Sequence, residues 1–168
     1  MQDKRKQQLA SFCASQNIQM HDLELLEMAL THTSYAHEAK QTPKPQHNER
    51  IEFLGDSVLS VIVSTYMFKN FPELAEGQLT KLRAHLVCEG SLYTFAKKIG
   101  LGELLLLGKG EELSGGRERP SILADAFESV LGAIYFDQGF TVAQRYLLTM
   151  MQQEIDYVCR HGIYTDYK

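Results

Sequence analysis

The chain has 168 residues, of which 44% are hydrophobic, enough for one domain with a sizeable core and too apolar for a disordered segment. No apolar run approaches the roughly 20 residues a bilayer span needs, and MQDKRKQQ has no apolar stretch behind its charges, so a soluble cytoplasmic protein without a membrane partner is expected. The formal charge of −4 is unlike that of a typical nucleic-acid-binding domain, and Cys13, Cys88 and Cys159, odd in number and widely spaced with no CxxC, read as buried or incidental thiols in a reducing compartment.

Lys4 to Ser15 reads as a first helix, with Leu9, Phe12 and Cys13 on one face. Asp22 can cap a second that runs through Leu30. His21-Asp22 is an HD dipeptide, but no companion histidine pair supports a metal-phosphohydrolase site. In THTSYAHEA, His32, Ser34 and Tyr35 read as a hydrogen-bonded helix end in preference to catalytic groups. QTPKPQ, with Pro43 and Pro45, is a loop.

The next helix starts in HNERIEFLGDSVL and runs to about Phe71, before Pro72. Glu49, Glu52 and Asp56, spaced three and four apart, share an arc of roughly 60°. Ile51, Leu54, Val58 and Ile62 form an apolar stripe on the other side. Like charges on one helix face repel, at about 0.2–0.5 kcal/mol per neighbouring pair, so a cation is expected in front of them. Phe53 projects close to the acids. It needs cover, either from a loop of the same chain or from another molecule.

Gly77 opens a further helix, with Leu79, Leu82, Leu86 and Val87 inward and Lys81, Arg83 and His85 outward. Glu76 at its start reads equally as a helix N-terminal charge and as support for a metal site. Glu89 to Ile99 continues as helix. LGELLLLGKGEELSGGRERPS is the least regular part, a glycine-rich loop in which Lys109, Arg117 and Arg119 could follow a phosphate backbone. It lacks the GK[ST] of a nucleotide P-loop, and no nucleotide cofactor is expected. Pro120 suits the first turn of the helix SILADAFESVLGAIYFD, whose flank carries Asp125 and Glu128. Gly139 breaks the chain, Thr141 can cap a last helix to about Val158, and RHGIYTDYK follows. With no strand alternation anywhere, the fold is expected to be all-α.

If the two acidic helices pack core to core with their flanks at one end, four carboxylates meet. Oxygen donors of this kind suit a hard divalent cation, Mg²⁺ first and Mn²⁺ as a substitute. Setting aside Glu49, Glu52, Asp56, Glu76, Asp125 and Glu128 leaves 15 acidic residues against 17 basic ones, so the overall charge does not exclude RNA.

HNERIEFLGDSVL resembles the signature stretch of the ribonuclease III family, and SILADAFESVLGAIYFDQG resembles its second acidic segment. LTHTSYAHE and EGQLTKLRAHLV are similar to the flanking blocks, so the likeness covers nearly the whole chain in order. The resemblance implies the helical endonuclease fold of that family, in a twofold homodimer with Phe53 in a pocket of the partner copy. It further implies a metal site of Glu52, Asp56, Asp125 and Glu128, with Asp56 and Glu128 catalytic and Glu49 and Glu76 supporting. The implied activity is cleavage of double-stranded RNA to products with 5′-phosphates and short 3′ overhangs, in processing of ribosomal and other precursors. A non-catalytic scaffold with the same fold, or a domain-less processing relative, is the alternative. The final TDYK is similar to the point where the family's double-stranded-RNA-binding domain begins. Residues 1–158 are accordingly expected to be the endonuclease domain and 159–168 a linker.

Overall fold

The computed structural model describes residues 1–163. Among them the chain is helical: α1 (Asp3–Ser15), α2 (Leu23–Ala29), α3 (Thr33–Glu38), α4 (Glu49–Asn70), α5 (Glu76–Leu86), α6 (Glu89–Lys98), α7 (Leu101–Leu104), α8 (Lys109–Leu113), α9 (Pro120–Gln138) and α10 (Phe140–His161). A 3₁₀ turn over Gly116–Glu118 joins α8 to α9. No strand forms among these residues, and the one β-bridge pairs Thr31 with Leu106. The all-α expectation holds. The expected domain boundary after 158 falls inside α10, and TDYK lies outside the described residues.

Nearly every position of α9 from Ile122 to Ile134 is apolar or small, so this helix has no face to give to water. It becomes the axis of the core, with α4 along much of its length and α2, α6 and α10 on its other sides. Asp125 alone among residues 122–134 is exposed. Pro120 takes the first turn of α9, as its fixed φ favours.

α4 and α9 touch backbone to backbone. A Cβ on Gly55 would lie 1.8 Å from the carbonyl oxygen of Glu128, and one on Gly132 would lie 2.5 Å from that of Ile51. No side chain fits at either place. The missing Cβ atoms are what let two acid-bearing helices cross this closely.

α4 is also long and apolar enough, by length and composition alone, to cross a membrane, although Glu49, Arg50, Glu52 and Asp56 interrupt its apolar residues. Ile51, Val58, Leu59, Ile62, Val63 and Met67 are buried, so its apolar character serves the core, and its first turn carries Glu49 and Glu52.

A set of short polar ties fixes where α4 begins. The Asn48 N–H donates to the carbonyl of Thr31 at 2.9 Å, and Asn48 Nδ2 donates to that of Ala29 at 3.3 Å. The buried Ser129 hydroxyl donates to the carbonyl of Asp125 at 2.8 Å and lies 3.4 Å from that of Asn48. The His32 N–H donates to the carbonyl of Leu106 at 3.0 Å.

Two local readings are corrected. The segment 101–119 is not a loose loop, because α7, α8 and the 3₁₀ turn occupy most of it. Glu38 accepts from the Lys109 N–H at 2.7 Å and so caps α8 from α3. The last helix begins at Phe140, one residue before Thr141. Its cap is Gly139, whose φ of 87° takes the chain through a conformation that side chains disfavour. Asp22 caps α2 as expected, accepting from the Glu24 N–H at 2.9 Å.

Gly55→Ala must push α4 off α9 and is expected to cost about 3 kcal/mol or more in urea unfolding. Gly77→Ala has nothing within 4 Å of the new methyl and should be neutral or stabilising by up to about 1 kcal/mol. Equal effects at the two sites would remove the close-approach explanation.

Candidate metal centre

The crossing at Gly55 sits between Glu52 and Asp56 on α4 and directly against Glu128 on α9. One carboxylate oxygen from each of Glu52, Asp125 and Glu128 lies within 4.8 Å of the others. Asp56 adjoins Glu128 closely enough to raise its pKa. The four acids expected to converge do so.

Their environments differ. Glu128 is 8% exposed. Burial first, then the neighbouring Glu52 and Asp56, push its carboxyl up to about 9. Asp125, exposed on its outer side, is raised to about 6 by desolvation of the side that faces the cluster, then by the charges of Glu52 and Glu89. Among the described residues the salt bridges are Arg5–Glu27, Arg117–Glu112 and Arg119–Glu111, and none reaches these four acids. A cluster of oxygen donors with mutual repulsion and no cationic side chain fits a divalent cation.

The supporting residues are placed differently. Glu49 faces His32 electrostatically and lines a cavity of about 900 Å³ beside the cluster. Glu76 opens α5, where it accepts from the Thr80 hydroxyl at 2.7 Å and lines a cleft with Ser64 and Phe68. Ser64 lies eight residues beyond Asp56, about 12 Å of helix rise, so within one chain Glu76 stands away from the cluster. Glu89, which the sequence reading missed, does act on Asp125. No periodic signal marks it, because it comes from the first turn of a third helix.

Arg117 and Arg119 do not face outward as loop cations. The Arg117 guanidinium donates to Glu112 and to the carbonyls of Gly102 and Leu105, at 2.7 and 2.8 Å. Arg119 pairs with Glu111 and donates to Ser114 at 3.1 Å. Both fasten the segment onto itself. Lys109 is exposed.

Phe53 is 76% exposed, so no loop of its own chain covers it. It lies at the mouth of the 900 Å³ cavity, whose walls include Leu25, Met28, Ala36, His47 and Phe136. Val61 and Phe68, eight and fifteen residues on, are also exposed and continue an apolar line along α4.

A model of the family described as ribonuclease-III-like matches residues 22–155. "Ribonuclease 3" of Caldanaerobacter subterraneus is 52% identical over 152 residues, which are 90% of this chain and 66% of that protein. "Ribonuclease 3" of Syntrophomonas wolfei is 51% identical over 145 residues, 86% of this chain and 60% of that one. The chain thus spans a little under two thirds of the length of such relatives. A solved structure of the nuclease domain of ribonuclease III from Campylobacter jejuni, described by flexibility in a region involved in dimer formation, superposes with a TM-score of 0.77 at 41% identity. It covers 84% of this chain and 94% of its own. Dicer from Pichia stipitis superposes with a TM-score of 0.63 at 25% identity, over 86% of this chain and 61% of its own. With the acids gathered where α4 meets α9 and the match extending from α2 into α10, this chain belongs to the ribonuclease-III-like family.

Proposed function

We propose that the chain is the catalytic part of a cytoplasmic, Mg²⁺-dependent endonuclease that cuts double-stranded RNA, leaving 5′-phosphates and short 3′ overhangs, in processing of ribosomal and other precursors. The observation that carries this reading is the convergence of Glu52, Asp125 and Glu128 beside Asp56 with no cationic side chain among them. The relatives named ribonuclease 3 support the RNA substrate. The three free thiols suit a reducing compartment.

Glu52, Asp125 and Glu128 would hold Mg²⁺, or Mn²⁺ in its place. The ion supplies charge neutralisation for the phosphate and a more acidic water at neutral pH. Glu128 is the deepest of the ligands, and Asp56 beside it completes the pair assigned to catalysis. Glu49 and Glu89 act from the rim. Lys109 remains available to a phosphate, whereas Arg117 and Arg119 are fasteners. Glu76 would support a site only from a second copy.

A second copy is also what covers Phe53. An aromatic ring at the mouth of an apolar cavity on the same face is self-complementary under a twofold axis, which suits an isologous homodimer. Two sites related by that axis would cut opposite strands and leave staggered ends.

Long RNA duplex is expected to be cut in Mg²⁺, less so as salt rises because phosphate contacts release counterions. Glu128→Gln removes a ligand worth on the order of 4 kcal/mol in the transition state, about 10³-fold in kcat. Wild-type turnover by that variant would sink the metal assignment.

A raised carboxyl pKa also sets a pH dependence. Between its unfolded value near 4.5 and its folded value of about 9, Glu128 holds a proton that the unfolded chain has released. The folded state then binds more protons, so without metal stability is highest at low pH and falls as pH rises through that window. Thermal unfolding should show a falling Tm, at about 2–4 °C per kcal/mol, and Glu128→Gln should flatten it. Added Mg²⁺ should raise Tm more at about pH 8 than at about pH 6, because its ligands must lose protons.

Phe53→Ala should weaken the dimer at least about tenfold, since truncation forfeits roughly 2 kcal/mol of burial. Sedimentation velocity across a dilution series reads this directly, and an unchanged dimer constant would remove Phe53 from the interface.

A further inference from the structure

His32 is built into the start of α3 with its ring fixed at one end. The Ser34 N–H donates to His32 Nδ1 at 3.2 Å, and Ser34 Oγ lies 2.7 Å from the same nitrogen. That hydroxyl accepts in turn from the Gly108 N–H at 2.9 Å. A nitrogen that accepts a backbone amide carries no proton, so the neutral ring holds its hydrogen on Nε2. Burial, then the charge of Arg119, lower the imidazole pKa against the opposing pull of Glu49, which favours the neutral form. His37 and His47 are the other groups that act on it. Nε2–H makes no hydrogen bond among the described residues.

Glu49 is exposed, and its carboxylate likewise has no hydrogen bond or ion pair among the described residues. The ties from Thr31 to Asn48 place the chain at His32 beside the first turn of α4. A fixed donor and a free acceptor therefore stand near each other at the start of α4, one turn before Glu52, without bonding each other. A group that accepts from one and donates to the other must be both acceptor and donor. Phosphate oxygens only accept. A ribose 2′-hydroxyl does both, and in A-form RNA it lines the groove that proteins read.

We propose that His32 and Glu49 form a 2′-hydroxyl site at the rim of the cleft, with Nε2–H donating to the hydroxyl oxygen and the Glu49 carboxylate accepting its hydrogen. The pair sets the preference for ribose over deoxyribose at one nucleotide of the bound strand. It deepens the proposed RNA-cleaving function and rests on that reading for its substrate.

The test is equilibrium competition in Ca²⁺ between an RNA duplex and the same duplex carrying a single 2′-deoxy substitution, scanned along each strand. Wild type should lose about tenfold in affinity at one position. His32→Asn keeps an acceptor for the Ser34 N–H and lacks the distal donor, so it should fold with unchanged Tm and be indifferent to the deoxy substitution there. Glu49→Ala, at an exposed position, should be equally indifferent. A wild-type profile flat at every position, or variants that keep the wild-type ratio, would overturn the site. Because the readout is binding, a chain that binds duplex with this discrimination yet never cuts it counts against the nuclease reading alone.

Discussion

The contact between Gly55 and the backbone of Glu128 is the constraint from which the rest follows. Ridges of side chains normally hold packed helices 8–10 Å apart. Here glycine on α4 meets the carbonyl of α9, and glycine on α9 meets the carbonyl of Ile51. That proximity brings Glu52 and Asp56 to Glu128 and Asp125. Packing and chemistry therefore share one determinant. Its electrostatic cost appears in the raised proton affinities of Glu128 and Asp125, where burial adds to the repulsion of like charges.

Around this crossing the chain uses small polar ties to set direction. Asn48 and Ser129 are buried polar side chains, and each donates to a backbone carbonyl, Asn48 to that of Ala29 at the end of α2 and Ser129 to that of Asp125. Thr31, His32 and Leu106 add a short backbone bridge on the same side. Buried polar groups held this way resist rearrangement, because breaking one tie strands its partners away from water. The acids are thus aimed by contacts that are not themselves acidic.

Much of the fold was legible because its signals are local. The three-and-four spacing of Glu49, Glu52 and Asp56 fixes a shared face, and Asp22 and Pro120 mark helix starts. The site was legible as two half-sites, and the likeness in HNERIEFLGDSVL and SILADAFESVLGAIYFDQG joined them. What stayed hidden depends on tertiary partners. Arg117 and Arg119 read as free cations because Glu112 and Glu111 gave no sign of claiming them. Thr141 is a good cap by type, but with Gly139 as the cap α10 starts two residues sooner than a Thr141 cap would set it. Glu89 reaches the cluster from an element with no acidic pattern, and the bare Phe53 ring could be told from a covered one only in three dimensions.

The burial of α9 on nearly every side has a mechanical consequence. Turning this helix by one residue, about 100°, would bring Asp125 inward and drive a core side chain into water. No modest rearrangement of the core permits that. Asp125 and Glu128 on α9 thus behave as a fixed anvil, and any adjustment around them falls to the outer groups, namely the exposed edge of α4 and the short helices α3 and α8.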